Sequence, residues 1–296
     1  MSEHKKHFSN FQTVSFVLIV CFLCALILSV LNSGLRSQQA RAEQLYRSKQ
    51  LLIAAKLLSY NNTFTFPNQD GTTRPAHIEN GKLAEGAGKK ATDKDILEVY
   101  TNHVTPFLTS SSGQAVSFQS AGIDEKTYME ENQKRGFSRL KEKLVYGVYF
   151  QGNKQQLLPA DEYVIPINGF GLWDAIYGFL SLARDANTIV GTTWYQQAET
   201  PGLGGDISLP EWQKQFDGKQ IFQKSANGQV DFSTAPLGII IVKTTVQDEL
   251  GASPKADSAV DGVSGAKITM KGVAEAYTDV LTQYRPFLIT AHGAAR

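Results

Sequence analysis

The sequence is poor in the side chains that carry most enzyme chemistry. It has two cysteines and five histidines in 296 residues, and no excess charge: Lys+Arg 29 against Asp+Glu 28. A nucleic-acid binder shows a basic excess, so nucleic acid is excluded as a partner. Two cysteines build neither a disulfide-rich scaffold nor a structural zinc cluster. Both, Cys21 and Cys24, fall in one apolar run and share a helix face there as small packing residues. His77, His103 and His292 are far apart and lack metal-ligand spacing, so no metal site is expected. No G-x-S-x-G elbow is present, and a cysteine nucleophile is impossible outside the apolar run. Demanding chemistry in this chain requires a cofactor.

What is present begins with that run. No charged residue occurs from Phe11 to Leu35, and Val14–Leu31 reads VSFVLIVCFLCALILSVL. Eighteen helical residues at about 1.5 Å each span roughly 27 Å, near the hydrocarbon thickness of a bilayer. A cleaved signal peptide has a shorter apolar core of about 7–15 residues and a small-residue cleavage site. Asn32-Ser33-Gly34-Leu35 offers no such site, so an uncleaved anchor is expected. Lys5 and Lys6 on one side and Arg36, Arg41, Arg47 and Lys49 on the other leave its orientation open by charge alone.

The expected organisation is a short tail over 1–10, a transmembrane helix over 11–35, a helical stalk over 36–60, a variable lobe over 61–135 and a main domain over 136–296. Leu45, Leu52 and Ala55 or Lys56 recur at helical spacing in the stalk. Residues 61–93 are loaded with Asn, Gly, Thr and Pro and read as irregular. A short helix is predicted to begin at Thr92–Asp95. Residues 144–150, 163–167, 187–195 and 237–245 read as strands. Leu172, Ile176, Phe179 and Leu180 read as a helix face, and a closing helix is predicted from about Met270 to Phe287. No internal repeat is seen. Paired strands with flanking helices indicate an α+β fold.

Two segments carry candidate chemistry. Glu199-Thr200-Pro201-Gly202-Leu203-Gly204-Gly205 combines a proline with three glycines, so backbone can approach a flat or anionic ligand; the same residues are ordinary turn punctuation. Asp261-Gly262-Val263-Ser264-Gly265-Ala266-Lys267-Ile268-Thr269 leads into the closing helix. A helix N-terminus has free N–H groups and a positive dipole and favours phosphate, whereas Thr269 as a mere N-cap is the plainer reading.

The pattern D-x-x-S-G-A-x-x-T before a terminal helix resembles the flavinylation motif of the FMN-binding domain family. The Glu199–Gly204 segment, E-T-P-G-L-G, and Gly169-Phe170-Gly171-Leu172-Trp173 resemble two further elements of that family. With the anchor and the Arg47-Ser48-Lys49-Gln50 stalk, the whole arrangement resembles the membrane-anchored flavin subunits of sodium-translocating NADH:quinone reductases. That resemblance implies covalent FMN, esterified through its phosphate to Thr269 and installed by a separate flavin transferase from FAD. It implies Asp261, Ser264, Gly265, Ala266 and Lys267 as the surrounding motif, and Thr200, Leu203, Gly204 and Trp173 as flavin neighbours. It implies an electron relay to partner subunits of a sodium pump, with the N-terminus cytoplasmic and the main domain periplasmic at a bacterial inner membrane. Two positions depart from the family pattern: Lys267 replaces a small hydroxyl residue, and Gln197 a frequent histidine. The alternatives are the shorter flavin subunit of ferredoxin:NAD complexes, or an anchored scaffold domain without a cofactor.

Overall fold

The computed structural model describes residues 10–68, 72–152 and 156–295. The tail expected over 1–10 lies, apart from Asn10, outside the described residues. The chain falls into two units, Met1–Arg47 and Ser48–Arg296.

The first unit consists of most of α1 (Asn10–Ala54). Residues Asn10–Arg36 form a span whose most apolar eighteen-residue window has a mean hydropathy of 3.1, none of it buried by protein. A charge-free helical surface with Phe16, Leu18, Phe22 and Leu28 all outward is a surface for hydrocarbon, because the helix satisfies its own backbone groups. It fits a single-pass membrane anchor.

In the second unit the last turns of α1 are core. Ser48, Leu51, Leu52 and Ala54 are buried, so the expected stalk over 36–60 ends inside the domain rather than in water. A three-stranded antiparallel sheet follows, β1 (Thr65–Pro67), β2 (Thr73–Glu79) and β3 (Lys82–Glu85). Helix α2 (Asp93–His103) starts where predicted, because Thr92 and Asp95 form a reciprocal capping box.

The main sheet has six antiparallel strands: β4 (Val104–Thr109), β5 (Ala115–Val116), β6 (Lys143–Val148), β7 (Glu162–Phe170), β8 (Ala175–Ala183) and β9 (Ile189–Gln196). Their spatial order is β5-β4-β6-β7-β8-β9. Residues from the expected lobe over 61–135 thus supply β4 and β5. Short helices α3 (Phe118–Ala121) and α4 (Glu125–Asn132) bridge β5 to β6. After β9 come α5 (Pro210–Gln213), β10 (Ile240–Val242), α6 (Val246–Glu249), β11 (Ala259–Asp261) and α7 (Lys267–Ala294), with β10 and β11 parallel.

Helix α7 lies against β7. Val273, Tyr277, Val280, Leu281, Tyr284 and Leu288 recur at helical spacing and are all buried. Two of its tyrosines are held by their polar ends. The Tyr277 hydroxyl is 2.8 Å from Thr192 Oγ1, and the Tyr284 hydroxyl donates to Leu144 O at 2.7 Å. Trp194 and Phe216 pack on Tyr277, so the core joins α7 to both β9 and the segment after it.

Two readings need correction. Of the helix face expected at Leu172, Ile176, Phe179 and Leu180, the last three lie in strand β8 and Leu172 in the turn before it. The strand is hydrogen-bonded on both sides, with Ile165 opposite Leu180 in β7 and Thr192 opposite Leu180 in β9. A strand covered on both faces reads as a near-continuous apolar run, which periodicity does not separate from a helix. The strand expected over 237–245 shrinks to the three residues of β10, because Leu237 and Ile239 enter the core as loop residues. The α+β class stands.

Candidate functional site

Three segments far apart in sequence meet at the start of α7. The first is the helix start itself. Gly265 takes a φ of +79°, a left-handed conformation that suits glycine, and the turn closes with Ala266 N donating to Val263 O at 3.2 Å. The chain therefore enters the helix at Lys267, three residues earlier than expected. Thr269 is the third helical residue and not the N-cap. The capping position is Ala266, whose side chain offers no hydrogen bond. Among the described residues, the N–H groups of Lys267, Ile268 and Thr269 have no hydrogen-bond partner. An uncapped first turn is an electropositive end in search of an anion.

The second segment is the tip of the β7–β8 hairpin, Gly171–Asp174, closed by Gly171 N donating to Asp174 O at 2.9 Å. The third is the loop after β9, from Glu199 to the 3-10 turn Gly204–Ser208. Glu199 ties all three together. Its Oε1 accepts from Trp173 N at 2.9 Å and its Oε2 from Leu172 N at 3.0 Å. Oε2 also accepts a hydrogen bond from the hydroxyl of Thr269. Both partners are buried, Glu199 at 6% and Thr269 at 2% exposure. Burial pushes the Glu199 carboxyl up, but the Thr269 hydroxyl and the N–H groups of Trp173 and Leu172 outweigh it and hold it below its ordinary value. Gly171 and Gly204 are what let the backbone come so close. A Cβ at Gly171 would collide with the Glu199 carboxylate, and one at Gly204 with both that carboxylate and Thr269 Oγ1.

Around this polar pair the surface is apolar. Phe170, Leu172, Trp173, Leu203 and Ile268 are all 42–74% exposed. Beyond α1, only Tyr60, Leu209 and Ile289 join them as large exposed hydrophobics among the described residues, so the apolar surface is concentrated here. The Trp173 indole N–H donates to Thr200 Oγ1 at 3.3 Å, linking hairpin tip and loop.

The sequence-predicted residues divide accordingly. Thr269, Ala266, Gly265, Thr200, Leu203, Gly204 and Trp173 come together at this place. Ser264 and Lys267 sit exposed at its edge. Asp261 does not reach Thr269. Its carboxylate accepts from Val246 N at 2.6 Å, and its backbone is clasped by Trp212 Nε1 and Gln215. Glu199 was legible only as a member of a turn motif, and nothing local pairs it with Thr269. Ile268 carries one weak signal, an aliphatic residue in a turn of Lys and Thr that the core does not need. A cavity of about 390 Å³ lined by Lys56, Tyr60, Thr192 and Asp217, among others, contains none of these residues.

An uncapped helix start, a hydroxyl in its first turn and a rim of flat and branched apolar side chains fit a ligand that is anionic at one end and aromatic at the other. FMN is such a ligand. Residues 171–282 match the FMN-binding domain family. Over 97% of its length the chain is 36% identical to a protein of Chlamydia caviae named as the NqrC component of the Na(+)-translocating NADH-quinone reductase, covering 94% of that protein. It is 30% identical to the protein of the same name from Haemophilus ducreyi, over 90% of this chain and 87% of the relative. The crystal structure of the NqrC component from Parabacteroides distasonis has a TM-score of 0.54 at 25% identity, covering 86% of this chain and 96% of that one.

Proposed function

The chain belongs to the NqrC family of Na(+)-translocating NADH-quinone reductase components, and we propose that it is the membrane-anchored, FMN-carrying electron-transfer subunit of such a complex. FMN supplies one- and two-electron transfer when bound, which no side chain of this chain provides. The relatives' names support this reading over a ferredoxin-linked subunit or a cofactor-free scaffold.

Thr269 holds the FMN phosphate as a phosphoester. The free N–H groups at the start of α7 and the Lys267 ammonium balance its charge. Ser264, Gly265 and Ala266 shape the approach, and Asp261 holds the turn by its bond to Val246 N. Thr200, Leu203, Gly204 and Trp173 border the ring. The other subunits of the complex are its electron partners, and a separate flavin transferase matures it. The N-terminus is cytoplasmic and residues 36–296 are periplasmic, hung from the inner membrane by α1. The observation that carries the reading is the Thr269 hydroxyl in an uncapped first turn, ringed by exposed apolar side chains.

Co-expression with its flavin transferase tests the reading. A yellow protein is expected, with a fluorescent band after denaturing electrophoresis. A colourless protein under those conditions overturns it. A reporter active only in the cytoplasm, fused after Arg296, is expected to be silent; a working one overturns the orientation.

A further inference from the structure

The hydrogen bond between Thr269 and Glu199 is more than a tie between two loops. A threonine hydroxyl is a weak nucleophile and becomes a good one when an adjacent base takes its proton. Glu199 Oε2 already accepts that proton as a hydrogen bond. Resting on the reading of Thr269 as the flavin acceptor, we propose that Glu199 is the proton acceptor in its own chain's modification. The recipient protein would thus supply half of the catalytic apparatus.

The step balances without any change in oxidation state. Thr269 Oγ forms a bond to the phosphorus of the flavin half of a flavin dinucleotide. The anhydride P–O bond breaks, and the nucleoside monophosphate leaves. The hydroxyl proton passes to Glu199 Oε2. That transfer also neutralises a carboxylate that would otherwise face the new phosphate diester as a second anion in a buried place.

The way Glu199 is held suits the role. Thr269 Oγ1 is covered by the Gly204 backbone, so the loop from Thr200 to Gly205 must move aside before a phosphorus can approach. Glu199 is held from the other side, by the hairpin N–H groups of Leu172 and Trp173. The base therefore stays beside the hydroxyl when the loop leaves. Those same donors keep the carboxylate ionised at neutral pH, ready to accept. The other ionisable side chains at this end of the elements packed here are Asp174 on the hairpin tip, Asp206 after the loop, and Lys267, Lys271 and Glu275 on the first turns of α7. Asp206 accepts from Gly202 N at 2.8 Å, and Lys271 pairs with Glu275 at 3.5 Å. Among the described residues none of these side chains hydrogen-bonds Glu199, although the Asp174 main-chain N–H also helps hold its carboxyl down.

The test measures flavin incorporation, not electron transfer. Full-length native chain, Glu199→Gln, Glu199→Asp and Thr269→Ala are each incubated with flavin transferase and FAD, and the rate of in-gel fluorescence is followed from about pH 6 to 8. Thermal melts of each variant check that the domain folds. Glu199→Gln is expected to be slower by ~100-fold or more at neutral pH, the lower range for loss of a general base. Its deficit should shrink as pH rises, because hydroxide replaces the missing base, and Glu199→Asp should recover part of the rate. Incorporation into Glu199→Gln at the native rate overturns the proposal while leaving Thr269 as the acceptor. So does a deficit that is the same at every pH, which is the mark of a purely structural contact. Fluorescence surviving in Thr269→Ala overturns the acceptor reading itself, and the proposal with it.

Discussion

Removing one hydroxyl at Thr269 should have two separable consequences. Thr269→Ala deletes the donor to Glu199 and one buried methyl. A hydrogen bond to a charged group contributes about 1.5–3 kcal/mol, and a buried methyl about 1 kcal/mol. Alanine returns roughly 0.5 kcal/mol through its higher helix propensity. The carboxylate keeps its two backbone donors from Leu172 and Trp173, so no buried charge is left wholly unpaired. The net loss is about 2–3.5 kcal/mol. In a domain of this size each kcal/mol lowers Tm by about 2–4 °C, so a drop on the order of 5–10 °C is expected. The pH dependence follows from the Glu199 shift. Its folded carboxyl lies below the ordinary 4.5, so the bond's contribution is complete above that value and is lost as pH falls through the lower folded one. The Tm gap should hold steady from neutral pH down to about 5.5 and close only below the ordinary carboxylate value. Differential scanning calorimetry at several pH values, on chains made without the transferase, reads the gap, and in-gel fluorescence after co-expression reads attachment, expected to vanish. Thr269→Ser keeps the hydroxyl and should keep both. A gap that widens on acidification, or a fluorescent band in Thr269→Ala, would refute the reasoning.

Other outcomes follow from the same packing. Lys56 Nζ lies 2.5 Å from Asp217, both largely covered, and burial raises the Asp217 carboxyl despite that neighbour. Lys56→Met should therefore cost about 3 kcal/mol at neutral pH in urea unfolding, fading as pH falls through the raised Asp217 value; a pH-independent loss would contradict this. Glu162 is fully buried in β7, and burial pushes its carboxyl well up, while its Oε2 accepts from Ser181 at 2.7 Å. A raised folded value means stability falls as pH climbs above the ordinary carboxylate range, and Glu162→Gln should flatten that slope; identical slopes would exclude Glu162 as its source. Trp173→Ala keeps the main-chain N–H that Glu199 needs but removes the exposed indole. It should retain the fluorescent band while making the flavin easier to quench with iodide, and unchanged quenching would remove Trp173 from the flavin wall.

The sequence alone determined the parts of this protein whose physics is local. A charge-free run long enough to cross a bilayer needs no tertiary partner to be helical, and its surface shows in composition. The capping box at Thr92 and the buried face of α7 are read off neighbours three and four apart. The proposed acceptor, Thr269, stands out in the sequence because its motif is contiguous. Tertiary structure alone decided what depends on pairing through space. Strand β8 looked helical until two neighbouring strands claimed it. Helix α7 begins at Lys267 because Gly265 turns the chain early, and this places Thr269 in the first turn, facing inward. Asp261 opens the motif in sequence yet is committed to Val246. Glu199 meets Thr269 across seventy residues, and no local propensity encodes such a pair. The reason is the same in each case: spacing fixes which face a residue occupies, while packing fixes which residue faces it.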